Sequence, residues 1–213
     1  WAKRRGLPRT AGHKVGAEVF RKIATYCKEL GVEYLTVYAF STENWKRPAD
    51  EVNTIMGLLK QYMLEAIDSM ERDQIRLRFL GDLSALSPEL QELARRTNEI
   101  SSHIQGFQAN VCLNYGGRDE IVRAVNRFAA EHPGEAITEA AMADCLDTAG
   151  IPDPDLIIRT GGEYRISNFL MWESAYSELY FTDVLWPDFS EKDIDEAVAE
   201  YRRRDRRFGG VKA

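Results

Sequence analysis

Apolar residues along this chain recur at two spacings, one typical of helices and one typical of strands. Residues 15–30 have apolar side chains every three or four positions and precede Gly31, a common helix stop, so they predict a helix. Residues 32–40, VEYLTVYAF, are β-branched or aromatic with few charges and predict a strand buried on both faces. Residues 51–70 carry a wide stripe rich in Met and Leu and predict a long helix.

The same alternation continues to the end of the chain. Further strands are predicted over residues 75–81 and 179–184, and residues 107–117 and 155–163 are each predicted to be a strand followed by a glycine turn. Helices are predicted from Pro88 after the cap Ser87, from 117 to about 130, over 139–149, over 168–176 after the cap Ser167, and from Ser190 to about Arg207. No repeat or linker interrupts this order. We therefore expect one α/β domain over residues 1–213, with a mostly parallel sheet flanked by helices.

Three polar loops follow predicted strands: residues 41–48 (STENWKRP), 114–119 (NYGGRD) and 159–167 (RTGGEYRIS). Ligands of parallel sheets bind outside the carboxyl ends of the strands, because the loops that follow the strands meet there. The sequence therefore predicts that these loops lie together and form a ligand site.

Composition narrows the classes of ligand. A net charge of −6 argues against general nucleic-acid binding, but the Arg-rich clusters near both ends suggest discrete anion sites.

No apolar run approaches the ~20 residues that span a bilayer. The three cysteines have no metal-ligand spacing, which favours buried free thiols in a reducing compartment. We therefore expect a cytoplasmic protein, either free or peripheral at the membrane.

The 159–167 loop has the residue types of a phosphate or diphosphate site. Arg159 and Arg165 offer guanidinium groups, two glycines can free backbone N–H groups, and Ser167 precedes a predicted helix start. In the alternative interpretation, the arginines pair with the nearby Glu163 and Asp155. The loop matches neither GxxxxGK[ST] nor GxGxxG, so neither nucleotide-binding motif is supported.

Other candidate residues each have an ordinary structural alternative. Trp45, in the polar 41–48 loop, either closes over an apolar ligand or packs back on the core. His13 either donates to a phosphate or is a surface residue, while the Lys3–Arg5 cluster is expected to be solvated. Glu178 beside diphosphate ligands suggests Mg²⁺, although it can also be a helix-end carboxylate. The stripe of residues 51–70 is either core or the wall of a hydrophobic tunnel.

Five motifs together resemble the cis-prenyltransferase family, and within it the bacterial undecaprenyl diphosphate synthases. In chain order they are WAKRRGLPRTAGHKVG, YAFSTENWKRP, NYGGRDEI, IRTGGEYRISNFLMW and ELYFTDVLWPDF, followed by RRFGG. The resemblance implies Mg²⁺-dependent elongation of farnesyl diphosphate by isopentenyl diphosphate with new cis double bonds. It also implies a homodimer and a product, undecaprenyl diphosphate, that passes to the membrane as a carrier lipid for cell-wall synthesis.

The resemblance also assigns roles by position. It implies an allylic diphosphate site that includes Trp1, Arg9, His13 and Arg47, and an isopentenyl diphosphate site that includes Arg159, Arg165 and Ser167. It implies a substrate-contacting loop that includes Ser41, Thr42, Glu43 and Trp45. Asn44 matches the residue assigned to proton removal. Because a neutral amide is a poor base, Asn44 can instead position isopentenyl diphosphate while a diphosphate oxygen takes the proton.

The remaining assignments concern the metal and the partner subunit. The resemblance implies that Glu178 is a Mg²⁺ ligand and that Arg207 and Gly209 form an R-x-G tail that reaches the partner's site. In the family a strand and the segment MDGNGR directly precede this Trp, and the Asp of that segment is the principal Mg²⁺ and diphosphate residue. We therefore expect a longer native chain and predict that residues 1–213 alone are inactive. A non-catalytic scaffold subunit that lacks this Asp is the alternative.

Overall fold

Strands and helices alternate as the pattern predicts, in a computed structural model that describes residues 1–205. The strands are β1 (Tyr34–Ser41), β2 (Arg76–Leu80), β3 (Gln108–Tyr115), β4 (Leu156–Arg159) and β5 (Glu178–Phe181). The helices are α1 (Arg9–Glu29), α2 (Ala49–Asp73), α3 (Pro88–Ser101), α4 (Gly117–Glu131), α5 (Glu139–Cys145) and α6 (Glu191–Arg203).

All observed strand pairs are parallel. One group has the order β1-β3-β2, and the other consists of β4 and β5. Every residue of β3 is buried, as expected for a strand with a neighbour on each side and side chains packed on both faces. The predicted mostly parallel α/β sheet is confirmed.

Helices cover both faces of the sheet because successive strand residues point to opposite sides. On one side, Phe79 and Val111 pack in a core with residues of α2 and α3. The neighbouring positions, Leu80 and Cys112, belong to a different cluster with Leu170. All three cysteines are buried and free, as predicted. Among the described residues, no helix has the length and apolar character needed to span a bilayer.

Local capping signals correctly predicted two helix starts. Ser87 accepts a hydrogen bond from the Leu90 N–H ahead of α3, and Ser190 forms a capping box with Asp193 at the start of α6. Within the described part, α6 ends at Arg203.

The helix predicted over residues 168–176 is wrong. Ser167, Asn168 and Leu170 have positive φ angles of 51°, 65° and 45°, which a right-handed helix cannot accommodate. Only a short 3₁₀ helix, Glu173–Tyr176, forms at the end of this segment. Ser167 is exposed and does not cap a helix.

β1 was predicted to be buried on both faces, but only Phe40 is fully buried. Within residues 1–205, β1 pairs only with β3 and β4 pairs only with β5. Residues of both strands line one cavity of about 1390 Å³. Within residues 1–205, one backbone edge of β1 therefore has no strand neighbour and lies along this cavity, which leaves most residues of β1 partly exposed.

Candidate active site

The three polar loops meet, as predicted, and Asn168 joins them. Its side-chain Nδ2 donates to Glu43 Oε1 at 3.1 Å, in the 41–48 loop. The backbone N–H of Arg118, in the 114–119 loop, donates to Asn168 Oδ1 at 2.9 Å. The Gly117 N–H donates to the Asn168 carbonyl oxygen at 2.7 Å. Since Asn168 directly follows the 159–167 loop, one residue connects all three.

The 41–48 loop is held by its own side chains in a 3₁₀ helix, Thr42–Lys46. Ser41 and Asn44 form a capping box, in which the Ser41 N–H donates to Asn44 Oδ1 at 3.1 Å. Asn44 also lines the cavity. The side-chain carbonyl oxygen of Asn44 therefore stabilises the loop. A role of Asn44 in proton removal stays a prediction.

Trp45 packs back on the strand end, which is the second of the two alternatives. Its indole N–H donates to Asn114 Oδ1 at 2.7 Å, and its ring lies edge-on to the buried Phe40 with centroids 5.0 Å apart. Asn114 is itself held by a bond from its Nδ2 to the Asp82 carbonyl. Trp45 nevertheless remains 40% exposed, so one side of the indole can contact a ligand.

A buried carboxylate collects three of the predicted diphosphate residues. Glu51 Oε1 lies 3.0 Å from Arg47 Nη1 and 3.2 Å from His13 Nε2, and Glu51 Oε2 lies 3.7 Å from Arg9 Nη1. Two guanidinium groups and an imidazole against one carboxylate leave an excess of positive charge. Our sequence interpretation missed Glu51. Its spacing of four residues from Arg47, in the first turn of α2, was the available signal.

Trp1 packs against the first part of α1, at Gly12. A Cβ atom at Gly12 would be 3.8 Å from the Trp1 ring. The Trp1 indole N–H donates to Asp188 Oδ1 at 2.7 Å, and Arg5 donates to the same carboxylate while stacking over the Trp1 ring. The Lys3–Arg5 cluster is exposed, as expected, and Arg5 in addition holds the chain start against Asp188.

Arg159 has an unusual environment at the carboxyl end of β4. Its Nε is buried and has no hydrogen-bond partner among residues 1–205, and the side chain lines the cavity. A buried unpaired donor costs free energy, so this guanidinium group is suited to an anion from outside the protein.

The rest of the 159–167 loop differs from the expectation. Gly161 and Gly162 have positive φ angles, but their N–H groups donate to the carbonyls of Val184 and Thr182 and are not available to phosphate. Arg165 pairs with Glu163, as the alternative interpretation proposed. Asp155 lies before β4 and accepts a hydrogen bond from the Tyr201 hydroxyl at 3.3 Å, whereas Arg159 ends β4.

Glu178 lies at the opposite end of the strands from Arg159. It begins β5 and pairs in register with Leu156, whereas Arg159 pairs with Phe181. Its carboxylate forms an ion pair with Arg204 at 2.8 Å. In the described part of the chain, no three Asp, Glu, His or Cys side chains converge on a point that could hold a metal. Because proteins commonly hold Mg²⁺ through one or two carboxylates together with substrate phosphates, the role of Glu178 as a ligand stays a prediction.

Arg207 and Gly209 lie outside the described residues. The predicted tail therefore stays a prediction.

The sequence analysis also missed two buried carboxylates, one in α4 and one in the 3₁₀ helix Glu173–Tyr176. Glu120 accepts hydrogen bonds from the Tyr115 hydroxyl and from the Asp147 N–H, and Glu173 accepts one from Thr148 at 2.7 Å. Burial, with the charge of Glu173 added, raises the pKa of Glu120 to about 7. Burial also raises the pKa of Glu173. A lone Glu in a helix pattern reads as exposed, so the sequence carried no signal for either.

The cavity is lined by both polar and apolar side chains. The polar ones include four side chains predicted to bind substrates, namely His13, Asn44, Arg47 and Arg159. Apolar lining residues come from α1, β1 and α2, and α2 contributes Leu58, Leu59 and the ring of Tyr62. An anionic head group and an apolar tail therefore find matching surroundings in one continuous space.

Comparison with known proteins identifies the family. The Prenyltransf family model, described as undecaprenyl diphosphate synthase, matches residues 1–209. The chain belongs to this family. The isoprenyl transferase of Fusobacterium nucleatum is 50% identical over 212 residues, covering 100% of this chain and 91% of that protein. The isoprenyl transferase of Clostridium perfringens is 46% identical, covering 100% of this chain and 86% of that protein.

Solved structures agree with the fold and the family. Lavandulyl diphosphate synthase from Lavandula x intermedia, in complex with dimethylallyl diphosphate, is 35% identical with a TM-score of 0.92, covering 98% of this chain and 92% of that chain. A structure described as a probable undecaprenyl diphosphate synthase from Campylobacter jejuni is 36% identical with a TM-score of 0.84, covering 92% of each chain. The chain is thus a member of a family of prenyltransferases.

Proposed function

We propose that the protein elongates farnesyl diphosphate with successive isopentenyl diphosphate units, forming cis double bonds. The product would be a long-chain polyprenyl diphosphate, undecaprenyl diphosphate, which supplies a carrier lipid for cell-wall synthesis. The observation that carries the proposal is one cavity whose lining includes the basic side chains of His13, Arg47 and Arg159 as well as apolar side chains of α1, β1 and α2. Prenyl diphosphates have this same division between head and tail.

Basic side chains at two separate places support two diphosphate positions. Arg9, His13 and Arg47 surround Glu51 near the start of α2, and Arg159 ends β4. We assign the allylic diphosphate to the first group and isopentenyl diphosphate to Arg159, with Arg165 and Ser167 beside it. Guanidinium groups suit this task because they donate several hydrogen bonds to phosphate oxygens and remain charged.

In the proposed reaction the allylic carbon–oxygen bond breaks and the diphosphate leaves with the electron pair. The double bond of isopentenyl diphosphate attacks that carbon, and a proton then leaves the unit that was added. The cationic side chains stabilise the negative charge on the leaving group, and holding both substrates side by side supplies much of the rate. Asn44 Oδ1 already accepts from the Ser41 N–H, which favours a diphosphate oxygen as the proton acceptor and Asn44 as a positioning group.

The proposal includes Mg²⁺ and one further parallel strand. The edges of β1 and β4 both line the cavity, and a strand between them would join the two groups of strands into one sheet. We propose that this strand and the carboxylate that follows it come from the segment that the family resemblance places before Trp1. Mg²⁺ would help to neutralise the leaving diphosphate. Assembly as a homodimer and passage of the product to the membrane are further parts of the proposal.

Incubating the full-length protein with farnesyl diphosphate and labelled isopentenyl diphosphate tests the function. We expect label in a solvent-extractable long-chain product, loss of product when EDTA removes divalent metal, and no product from residues 1–213 alone. Tight binding of prenyl diphosphates without turnover would support the scaffold subunit instead. Hydrolysis of simple phosphate esters without prenyl transfer would contradict both.

A further inference from the structure

Asn168 makes three hydrogen bonds between different loops, and no role is assigned to it above. Its amide donates to Glu43 and accepts from the Arg118 N–H, while its main-chain carbonyl accepts from the Gly117 N–H. These bonds join the loop that carries Asn44 to the residue that follows Ser167. Asn168 therefore links two loops that the proposed reaction requires to be aligned.

The backbone conformation at this position favours Asn. Its φ of 65° lies in the left-handed region, which Asn tolerates better than most residues other than Gly. Gly116 leaves room for the contact, since a Cβ there would lie 2.7 Å from Asn168 Nδ2 and 2.9 Å from Thr42 Oγ1. The close approach of these loops thus depends on having glycine, which has no Cβ atom, at position 116.

The chemistry of the two partners requires both halves of an amide. The Arg118 N–H needs an acceptor, and the Glu43 carboxylate needs a donor. Partial burial acts to raise the pKa of Glu43, but hydrogen bonds from its own N–H and from the side chains of Ser41, Asn168 and Thr42 lower it overall. The lowered pKa favours the ionised form of Glu43. An Asp at position 168 would keep the acceptor, lose the donor and place two negative charges together.

We propose that Asn168 is a positioning residue that fixes the 41–48 loop relative to the isopentenyl diphosphate residues. The inference rests on the proposed function. Asn168 acts through its hydrogen bonds to Glu43 and to the N-terminus of α4. These bonds hold both groups in a fixed position relative to the chain segment that carries Arg165 and Ser167. The side chain of Asn168 need not touch either substrate.

A reciprocal exchange tests this role. Asn168→Asp should lower kcat by about 10-fold or more, because a repelled loop misplaces Asn44 in the reacting complex. Adding Glu43→Gln restores a donor–acceptor pair with reversed direction, so the double variant should recover at least part of the loss. Asn126→Ala, on the exposed part of α4, is the control and should leave kcat unchanged. An active Asn168→Asp variant, or a double variant no better than the worse single variant, would overturn the inference.

A readout without turnover separates this inference from the proposed function. Lys46 is exposed on the 41–48 loop, so trypsin cleavage after Lys46 reports release of the loop. We expect faster cleavage in Asn168→Asp and slower cleavage again in the double variant, with unchanged cleavage in Asn126→Ala. If native protein fails to elongate prenyl diphosphates while cleavage follows this order, only the proposed function fails. If native protein is active and cleavage at Lys46 is the same in all variants, only the inference fails.

Discussion

At the scale of the residue, the basic side chains of the site differ in whether they already have a carboxylate partner within the protein. Arg47 and His13 contact the buried carboxylate of Glu51, and Arg165 pairs with Glu163 in solvent. Arg159 differs from these because its buried Nε has no partner in the described part of the chain. Binding an anion at Arg159 would satisfy a buried donor without breaking an existing ion pair.

Replacing Arg159 by Ala should therefore affect substrate use far more than folding. Loss of a charge-assisted hydrogen bond, worth about 1.5–3 kcal/mol, predicts a rise of about 10- to 100-fold in KM for isopentenyl diphosphate. The free energy of unfolding should change by less than ~0.5 kcal/mol, as in an Arg203→Ala control on the exposed side of α6. Steady-state kinetics and urea unfolding measure both quantities. Unchanged kinetics for isopentenyl diphosphate would remove Arg159 from the site.

Glu120 predicts a pH dependence of stability. Its folded-state pKa of about 7 exceeds the ordinary 4.5, so the folded protein holds this proton more tightly than the unfolded chain. The contribution of Glu120 to stability is therefore full below about pH 4.5 and is lost as the pH rises through about 7. Glu120→Gln should remove this part of the decline in urea unfolding, and Glu131→Gln, at an exposed position, should not. The same slope in Glu120→Gln and native protein would contradict this interpretation.

At the scale of the element, Gly81 permits a close contact at the end of β2. Its φ is 120°, and a Cβ there would lie 2.0 Å from the Leu113 carbonyl oxygen in β3. Gly81→Ala should destabilise the protein by ~3 kcal/mol or more, since the backbone must shift as well as adopt a strained conformation. Gly6→Ala has a positive φ but open surroundings, and should cost only about 1 kcal/mol. Equal losses in thermal unfolding would show that steric contact at Gly81 is unimportant.

Elements with local signals were predictable from the sequence, and those shaped by distant contacts were not. Ser87 and Ser190 mark helix starts because a cap bonds to N–H groups only a few residues away. Residues 168–176 have a composition typical of a helix. Asn168, however, bonds to Glu43 and to the start of α4 with its backbone in the left-handed region, which is incompatible with a right-handed helix there. Glu51 was missed for a similar reason. Two of its partners, Arg9 and His13, lie about forty residues earlier in the chain.

At the scale of the whole molecule, the cavity connects the sheet to the chemistry. β1 and β4 lie on either side of it, and α2 forms part of its apolar wall. The sequence pattern left open whether the Met- and Leu-rich stripe of α2 is core or the wall of a hydrophobic tunnel. Met63 is buried in a core cluster, and Leu58, Leu59 and Met63 line the cavity. One helix can contribute to both a core and a cavity because its stripe is wide. That this cavity serves as a tunnel for a prenyl tail stays a prediction.

The central claim is that diphosphate heads bind at the polar loops while the prenyl tail lies along α2. A farnesyl diphosphate analogue with a photoreactive group at the tail end tests it most directly, with the full-length protein and mass spectrometry of the labelled peptides. We predict labelling of α2 and β1, including Leu59, that excess farnesyl diphosphate suppresses and that weakens when Arg47 is replaced by Ala. Suppressible labelling confined to residues outside the cavity, such as α3 or α5, would contradict the account.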